Sequence, residues 1–384
     1  METYAPSDLL FEKGSGSWLY SNNGEKYLDF SSGIAVTSIG HCHPHLVNSI
    51  KRQAEKLIHT SNLYKIEQQE KLAERLCSIS FADKVFFANS GAEANEGAVK
   101  LARKYMFENG QVKRNKIVCI EGGFHGRTIA MLAATSKKEN RVGFGPLPRG
   151  FKHVKFRNID SLDKFLDDTV AAIMVEPVQG EGGARKISED ILKSIQFAAK
   201  KHNCLIISDE VQTGIGRLGK MFGYENSSLK PDIMALAKGL GGGLPVGAVL
   251  ARKKISSVIK PGSHGSTFGG NPLSMAAANA VLDIILEPGF LDNVKIKSKY
   301  LFETLESIKY ENQNFIEEIR GEGLLIGVQL HFDQSKFIKS LEKNYLLTIR
   351  AAENVIRILP PLNVKKNEID LALKILKKVC REYK

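Results

Sequence analysis

Two side chains, Asp209 and Lys238, are the ones in this sequence best placed to do chemistry. Asp209 closes an apolar run, so we expect it to be buried, and a buried carboxylate needs a cationic partner. Lys238 follows another apolar run and precedes a stretch rich in glycine. Partial burial lowers the pKa of such an amine, so that its neutral form is available to attack a carbonyl. The pair therefore predicts a site for a carbonyl compound with a basic ring nitrogen.

Pyridoxal phosphate needs both of these groups, an acid beside its ring nitrogen and a lysine that forms an imine. Gln212 lies close behind Asp209 in the sequence and could donate a hydrogen bond to the phenolate oxygen of the ring. On these residues alone other interpretations stay open. Asp209 could cap a helix, and lysines are usually exposed to solvent.

Two segments offer candidate phosphate contacts. Ser90, Gly91 and Ala92 stand between a predicted strand and a predicted helix, where backbone N–H groups at the positive end of the helix can bind a phosphate. Ser266 and Thr267 offer hydroxyl groups shortly before another predicted helix. A serine at a strand–helix junction is also a common helix cap, so neither segment decides the ligand by itself.

An aromatic ring and an arginine follow the next predicted strand. Phe124 could stack on a planar cofactor, and Arg127 could bind a carboxylate through two parallel hydrogen bonds. The ordinary alternative is a core phenylalanine and a surface arginine. No phosphate-binding glycine motif of the nucleotide-binding folds follows a predicted strand, so a nucleotide site has no support.

Six short apolar runs alternate with amphipathic segments and are predicted strands. Such unbroken runs suit strands covered on both faces, which indicates a mostly parallel sheet flanked by helices, an α/β fold. Ligands of these sheets lie beyond the carboxyl ends of the strands. The predicted strands are residues 85–88, 117–120, 171–175, 205–207, 233–235 and 248–250.

The pattern changes near Pro272, after which helices and short strands predict a smaller C-terminal α/β domain. We predict three parts: residues 1–45 as a segment that packs with the small domain, residues 46–265 as the large domain, and residues 266–384 as the small domain. Glycine and proline clusters near the junction support this division.

Composition favours a cytoplasmic globular protein. The chain has 384 residues, of which 43% are hydrophobic and 25% charged, and no apolar run approaches the length of a membrane helix. Its five cysteines form no closely spaced pair, which is typical of a reducing compartment. The net charge of +12 is spread along the chain, so we expect solvated helix faces, with no nucleic-acid partner. No metal site is expected.

Taken in order, the motifs resemble those of the class III, fold-type I pyridoxal-phosphate aminotransferases, and the resemblance extends over nearly the whole chain. It implies the fold of that family, a large domain with a mostly parallel central sheet and a smaller C-terminal α/β domain, and it implies pyridoxal 5'-phosphate as cofactor. The matching segments are Tyr-Leu-Asp-Phe at 27–30, Gly-His-Cys-His-Pro at 40–44, residues 89–96, residues 124–128, Glu-Pro-Val-Gln-Gly-Glu-Gly-Gly at 176–183, residues 209–214, Lys238 and residues 357–361.

The resemblance also implies roles for the cofactor-binding residues. Lys238 would carry the cofactor covalently and later move the proton that the reaction transfers. Phe124 and Val211 would cover the two faces of the ring. The remaining cofactor contacts would be Asp209 at the ring nitrogen, Gln212 on the phenolate side, and Ser90, Gly91 and Ala92 at the phosphate. Thr267, with Ser266 beside it on the substrate side, would reach the site of a neighbouring subunit, which makes the site a feature of a homodimer.

The substrate side follows the same resemblance. Arg127 would bind the substrate α-carboxylate, and Arg357 would bind a carboxylate of 2-oxoglutarate or glutamate. Glu181 would pair with Arg357 when that substrate is absent, so that one pocket serves two unlike substrates.

Ile34 stands where ornithine aminotransferases carry a tyrosine, and this difference favours an N-acylated donor, N2-acetylornithine, over free ornithine. Other ω-amino donors remain alternatives: succinylornithine, succinyldiaminopimelate, ornithine and 4-aminobutyrate. An aminomutase or racemase on the same fold is a further alternative, which the predicted pair of Glu181 and Arg357 disfavours.

Overall fold

The structure, a computed structural model, describes residues 1–155 and 162–383. Its strands are β1 Phe11–Ser15, β2 Trp18–Ser21, β3 Lys26–Asp29, β4 Lys84–Ala88, β5 Lys116–Ile120, β6 Phe151–Val154, β7 Val170–Val175, β8 Val178–Gln179, β9 Arg185–Lys186, β10 Leu205–Asp209, β11 Ile233–Leu236, β12 Gly247–Ala251, β13 Ile316–Glu322, β14 Leu325–Leu330, β15 Leu346–Leu347, β16 Ile349–Arg350 and β17 Val355–Ile358.

The helices are α1 Ser32–Ala35, α2 Pro44–Lys56, α3 Glu67–Ser78, α4 Gly91–Glu108, α5 Ile129–Ala134, α6 Leu162–Phe165, α7 Glu189–Lys201, α8 Lys253–Ser256, α9 Pro272–Ile285, α10 Phe290–Tyr310, α11 Ser335–Lys343 and α12 Lys366–Glu382. Short 3₁₀ turns cover Lys138–Arg141, Gly223–Asn226 and Lys238–Leu240. α1 is unusual, because all four of its residues have positive φ.

The central sheet has seven strands in the order β4-β12-β11-β10-β7-β5-β6. All neighbouring pairs are parallel except those of β12, which runs antiparallel to both of its neighbours. The prediction of a mostly parallel sheet is therefore confirmed, and each of the six predicted runs forms a strand. Strand β6 was not predicted, because its sequence Phe-Lys-His-Val is not an apolar run and it occupies the sheet edge.

Helices cover both faces of this sheet because consecutive strand residues point to opposite sides. Ile207 packs with residues of α4 in one apolar cluster, whereas its neighbour Ile206 packs with residues of α7 in another. Every residue of β7 is buried, as expected for a strand in the middle of a covered sheet. The two layers of helices hold the carboxyl ends of the parallel strands together at one edge.

Two smaller sheets lie outside the central one. Strands β13, β14, β17 and β16 form an antiparallel sheet next to α10, and β1, β2 and β3 form a second sheet that β15 completes. One continuous apolar core reaches from Leu28 to Cys380 and includes residues of all these parts. The division into three parts given above, with boundaries after residues 45 and 265, remains a prediction.

Among the described residues, no single helix is long and apolar enough to cross a membrane. The bent pair α9 and α10 meets that length and composition test only when the two helices are taken together, with a bend of 72° between them. Most residues of α9 are buried inside the protein.

Candidate active site

A cavity of about 410 Å³ lies where the parallel strands of the central sheet end. Five residues that directly follow or close these strands contribute to it or to its rim: Asn89, Glu121, Glu176, Asp209 and Ala237. The cavity also contains most of the predicted site residues, namely Ser90, Gly91, Ala92, Phe124, Arg127, Glu181, Val211, Gln212 and Lys238. This position agrees with the general rule for ligands of open α/β sheets.

Asp209 forms the centre of a buried hydrogen-bond network. Asp209 is 2% exposed. Oδ2 accepts hydrogen bonds from Nδ1 of His125 at 2.8 Å and from Nδ2 of Asn95 at 2.7 Å, and Oδ1 accepts one from the backbone N–H of Val211 at 3.0 Å. Burial would lower the pKa of His125, but its hydrogen bond to Asp209 and the charge of that carboxylate outweigh burial and raise it. The imidazole of His125 and the carboxylate of Asp209 therefore stabilise each other in a buried contact.

Lys238 occupies a strained backbone position two residues after the end of β11. Its φ is 39°, a left-handed value that a non-glycine residue rarely adopts. Loss of hydration, and next the positive charge of Arg357, lower the pKa of Lys238 from 10.5 to about 8. Within the described parts of the chain, no residue makes a hydrogen bond or ion pair with its amine. The Lys238 amine is thus available for a covalent bond to a ligand in the cavity.

The amino end of α4 faces the cavity with free backbone donors. Gly91 and Ala92 are its first two residues, and the first N–H groups of a helix have no carbonyl partner within it. Ser90 caps the helix, because its Oγ accepts a hydrogen bond from the backbone N–H of Glu93 at 3.2 Å. A Cβ at Gly91 would lie 2.7 Å from a methyl group of Val211, so only glycine permits this close approach. The arrangement suits an anion such as a phosphate.

Phe124 and Arg127 lie on one loop after β5. The guanidinium of Arg127 stands over the Phe124 ring at 5.5 Å, and the Arg127 side chain is exposed. Among the residues that the structure describes, none forms a salt bridge with Arg127. Arg127 is therefore free to bind a carboxylate from solution.

Glu176 holds this loop against a second one. Its carboxylate accepts hydrogen bonds from the backbone N–H of Phe124 at 2.8 Å and of Gly180 at 3.2 Å. Burial, and next the charge of Asp209, raise the pKa of Glu176 to about 7. The loop that carries Phe124 and the loop that leads to Glu181 are thereby fixed to one another.

Arg357 is buried beside the cavity and lies among three acceptors. It donates hydrogen bonds to Oε1 of Glu181 at 2.6 Å, to Oε1 of Gln212 at 3.0 Å and to the backbone carbonyl of Arg350 at 3.1 Å. Its Nε is buried and has no hydrogen-bond partner among the described residues. The guanidinium can therefore take up a further acceptor, or exchange Glu181 for one.

Besides Arg357, which lies beside the cavity, three predicted site residues do not line the cavity of their own chain. Ser266 accepts a hydrogen bond from Nδ2 of Asn89, and Thr267 beside it is exposed. Ile34 is 42% exposed and lies in the left-handed turn α1. Val36, the residue that follows this turn, lines the cavity. A left-handed backbone costs roughly 1–2 kcal/mol for each non-glycine residue, so this turn must be held by its surroundings.

A second cleft of about 760 Å³ lies outside the first and shares Phe124, Arg127 and Glu181 with it. The inner cavity and the outer cleft are thus adjacent volumes with common walls. A planar ring bound in the inner cavity would leave the outer cleft to the longer chain of a substrate.

The residues of the inner cavity fit pyridoxal phosphate. Among the described residues, Asp209 Oδ1 accepts one hydrogen bond, from the backbone N–H of Val211, and a carboxylate oxygen has capacity for a second, such as one from a ring N–H. Lys238 supplies a partly neutral amine, and α4 supplies free N–H groups for a phosphate. No group of three or more potential metal ligands occurs in residues 1–155 and 162–383.

Sequence reasoning missed His125, Asn95 and Glu176 as parts of the site. Asn95 lies four residues after Gly91 on α4, and this spacing places both residues on the same face of the helix. His125 follows Phe124 directly, but nothing in the local sequence indicates its partner. The expected cation beside Asp209 was a cofactor ring, whereas the structure also gives it the imidazole of His125.

A family model described as "Aminotransferase class-III" matches residues 2–380. The acetylornithine aminotransferase of Agrobacterium fabrum is 48% identical over 361 residues, which are 94% of this chain and 90% of that protein.

Two solved structures are similar along the whole fold. The ornithine aminotransferase of Toxoplasma gondii, which has partial occupancy of PLP at its active site, superposes with a TM-score of 0.95 at 32% identity, over 99% of this chain and 91% of the other. The acetylornithine aminotransferase of Elizabethkingia anophelis superposes with a TM-score of 0.88 at 34% identity, over 100% and 96% of the two chains.

Proposed function

The chain belongs to the class III aminotransferases, and we propose that it transfers the terminal amino group of N2-acetylornithine to 2-oxoglutarate. The products are N-acetylglutamate 5-semialdehyde and glutamate. The observation that carries this proposal is the contact of 2.6 Å between Glu181 and Arg357 beside Lys238. A buried arginine with an exchangeable acidic partner suits an enzyme that must accept a diacid in one step and a different amine in the other.

We further propose pyridoxal phosphate as the cofactor, held by Lys238, Asp209 and the amino end of α4. When bound, this group supplies an electron sink that stabilises negative charge at the carbon next to the substrate nitrogen. Asp209 would accept a hydrogen bond from the ring nitrogen, and His125 and Asn95 would hold the Asp209 carboxylate in place for it. Phe124 and Val211 would cover the two faces of the ring.

Lys238 performs the proton transfers. Its lowered pKa of about 8 lies close to the pH at which an enzyme works, and a general base is most effective in that range. The Lys238 amine would take the proton from the substrate carbon and hold it until it is returned.

Arg357 and Glu181 separate the two half-reactions. With the amino donor, Glu181 neutralises Arg357, so the uncharged part of the donor meets no unpaired cation. With 2-oxoglutarate, its second carboxylate replaces Glu181 on the guanidinium, and the free Nε atom can add one more hydrogen bond. Arg127 binds the carboxylate that both substrates share.

The choice of N2-acetylornithine as donor rests on two observations. The relative in Agrobacterium fabrum bears that activity in its name at 48% identity. Ile34 offers no hydrogen bond to a free α-amino group, so an acylated amine fits this position better than free ornithine. The outer cleft of about 760 Å³ has room for the acyl group.

We also propose that the enzyme is a homodimer with shared active sites. Exposed apolar side chains lie on two segments, one of which carries Thr267: Leu57 at 46%, Ile58 at 57%, Leu63 at 85%, Tyr64 at 68% and Phe268 at 62%. The two segments that carry them are in contact, since Asn62 donates hydrogen bonds to the carbonyls of Ser266 and Gly269. An exposed apolar patch of this kind is typical of a protein interface. A partner seated there would receive Thr267 at its own site.

A donor screen tests the proposal. Enzyme loaded with pyridoxal phosphate is given 2-oxoglutarate and one donor at a time, and glutamate is measured. We expect the highest kcat/KM with N2-acetylornithine, ahead of N2-succinylornithine, ornithine and 4-aminobutyrate. A higher value for ornithine or 4-aminobutyrate would contradict the proposed donor, and continuous conversion without 2-oxoglutarate would indicate an aminomutase or racemase instead. The cytoplasmic location remains a prediction.

A further inference from the structure

The left-handed turn α1 stands at the junction of three parts of the site. Ser32, Gly33, Ile34 and Ala35 have φ values of 47°, 60°, 66° and 61°. Only glycine adopts this region without strain. A run of four such residues persists only where neighbouring groups hold it.

The carboxylate of Asp29 anchors the amino end of the turn through hydrogen bonds. Its Oδ1 accepts three hydrogen bonds: from the backbone N–H of Ser31 at 2.9 Å, from the hydroxyl of Ser31 at 2.5 Å and from the backbone N–H of Ser32 at 3.0 Å. Its Oδ2 bonds to Nε2 of His41 at 2.7 Å. Asp29 is 1% exposed, so water cannot take over these contacts.

The segment held by Asp29 is tied to the strand of Arg357. The hydroxyl of Ser32 donates to the carbonyl of Leu359 at 2.6 Å, and the N–H of Leu359 donates to the carbonyl of Phe30 at 2.7 Å. Leu359 lies two residues after Arg357. The turn is therefore hydrogen-bonded to the same short backbone segment that carries Arg357.

The same segment is tied to the turn of Lys238. The hydroxyl of Ser38 donates to the carbonyl of Gly239 at 3.1 Å, within the 3₁₀ turn Lys238–Leu240. Between these two ties, Val36 lines the inner cavity. A displacement of the turn would move the cavity wall at Val36 relative to both Lys238 and Arg357.

We propose that Asp29 is a positioning residue for the amino donor: through the turn α1 it sets the place of Ile34 and Val36, and thereby the fit of the donor chain. Asp29 touches neither the cavity nor the reacting atoms. Its effect is transmitted by backbone hydrogen bonds. The inference about the donor rests on the proposed transamination, whereas the inference about the turn does not.

A second Asp–His contact in the same chain provides a matched control. Asp283 on α9 accepts from Nε2 of His45 at 2.8 Å, almost the same distance as in the pair of Asp29 and His41, but its side chain is 41% exposed. Asp283 also pairs with Arg75 and holds no left-handed backbone. Asp283→Ala therefore removes a similar aspartate–histidine contact without affecting α1.

Hydrogen exchange tests the turn without any ligand. The N–H groups of Ile34 and Ala35 bond to the carbonyl of Ser31, and that of Val36 bonds to the carbonyl of Ser32. We expect Asp29→Ala to accelerate exchange at these three amides by about tenfold or more, which is the effect of losing one or two hydrogen bonds. Asp29→Asn keeps one carbonyl oxygen and should show a smaller increase, and Asp283→Ala should show none there.

Kinetics of the loaded enzyme test the consequence. Asp29→Ala should raise KM for N2-acetylornithine about tenfold, reduce its preference over free ornithine, and change kcat by less than about threefold. Asp29→Asn should restore most of the donor affinity. If Asp29→Ala fails to fold, Ser32→Ala decides, because it removes only the bond to Leu359 and should raise the same KM about threefold.

The outcomes separate the two inferences. Unchanged exchange at Ile34, Ala35 and Val36, or a loss of activity with unaltered donor KM and preference, would overturn the role of Asp29. A wild-type enzyme without activity on any N-acylated ornithine would overturn the proposed function. The hydrogen-exchange experiment would still test whether Asp29 stabilises the turn α1. Equal effects of Asp29→Ala and Asp283→Ala would reduce Asp29 to an ordinary stabilising residue.

Discussion

Polar groups are held differently at the two ends of the cavity: at its floor, which Asp209, His125 and Lys238 form, and at its mouth, which Arg357 and Glu181 form. At the floor, Asp209 and His125 are both almost fully buried, at 3% and 1% side-chain exposure. At the mouth, Arg357 is 2% exposed, whereas its partner Glu181 is 35% exposed. The floor pair has no route to water, and the mouth pair has one partner that can turn away into solvent.

This difference separates two tasks. A charge that must keep one state throughout a reaction is best held by a partner that cannot leave, because removing one member of a buried pair is strongly destabilising. A charge that must alternate between two substrates needs a partner whose departure is compensated by hydration. The floor therefore suits the cofactor and the mouth suits the substrates.

The largest expected effect lies at the floor, on Lys238. Lys238→Ala should lower kcat by at least about 10³-fold, because it removes both the covalent attachment and the proton carrier. Circular dichroism and thermal unfolding should remain close to wild type. Steady-state assays with N2-acetylornithine and 2-oxoglutarate measure the loss, and Lys253→Ala on the protein surface is the control. A loss of kcat of less than tenfold would contradict the direct role of Lys238 in the reaction.

Asp209→Asn should come next and should also lower stability. We expect kcat to fall by about 10²-fold, since an amide does not keep a ring nitrogen protonated. The buried imidazole of His125 would lose the carboxylate that accepts its hydrogen bond, which costs about 1–3 kcal/mol. Thermal or urea unfolding of the protein without cofactor checks this. An unchanged free energy of unfolding would mean that the contact of Asp209 and His125 is less rigid than we infer. It would then not differ in this respect from the contact of Arg357 and Glu181.

Arg357→Ala probes the mouth. We expect the half-reaction with 2-oxoglutarate to slow by about 30-fold or more, the effect of losing a charge-assisted contact of about 2 kcal/mol or more. The half-reaction with the amino donor should change by less than about threefold. Rapid-mixing spectroscopy of each half-reaction measures both. Equal losses would mean that Arg357 serves both substrates alike and would remove the functional basis of the comparison.

The pKa of Lys238, lowered to about 8, gives the floor a pH signature. In protein without cofactor, the neutral amine predominates above this value, and its fraction falls about tenfold for each pH unit below it. The rate of modification of Lys238 by an acylating reagent should therefore rise with pH and level off above about pH 8. Peptide mass spectrometry measures it, with exposed lysines in the same sample as reference. A plateau that begins only above pH 10 would contradict the desolvation of this amine.

The smallest effect is expected for Glu181→Gln, which sharpens the view of the mouth. The amide keeps the hydrogen bond to Arg357 but loses the charge, so the guanidinium is no longer neutralised. We expect KM for 2-oxoglutarate to fall about threefold and KM for the amino donor to rise by a similar factor. Changes of the same sign for both substrates would contradict the exchange of partners on Arg357.

The sequence predicted the residues at the floor of the cavity better than the residues that hold them in place. Apolar runs located six strands of the central sheet, and the positions after them placed Asp209, Lys238 and Gly91 at one edge. Local sequence patterns report burial and strand direction, and these suffice for such residues. The antiparallel course of β12 was not predicted, because an apolar run of five residues looks the same in either direction.

Contacts between distant segments were harder to predict. His125 and Asp209 are far apart in the sequence, and an imidazole next to an aromatic residue gives no local sign of its partner. The left-handed turn after Asp29 was also missed: only Gly33 among its four residues suggests positive φ, and the rest are forced into it by bonds to Asp29 and Leu359. Such conformations depend on tertiary contacts that override local preference.

The pairing of β3 with β15 has a consequence for the order of assembly. Leu28 of β3 pairs with Leu346 of β15, so at ~5–20 residues per second a ribosome delivers the partner strand roughly 20–60 s after the first one. Until then β3 has an open edge, and an open strand edge is a site for unwanted association. Leu359, which fastens α1, is synthesised later still. The donor side of the pocket is thus completed only near the end of translation, and a ribosome stalled before Leu346 would display an unpaired strand.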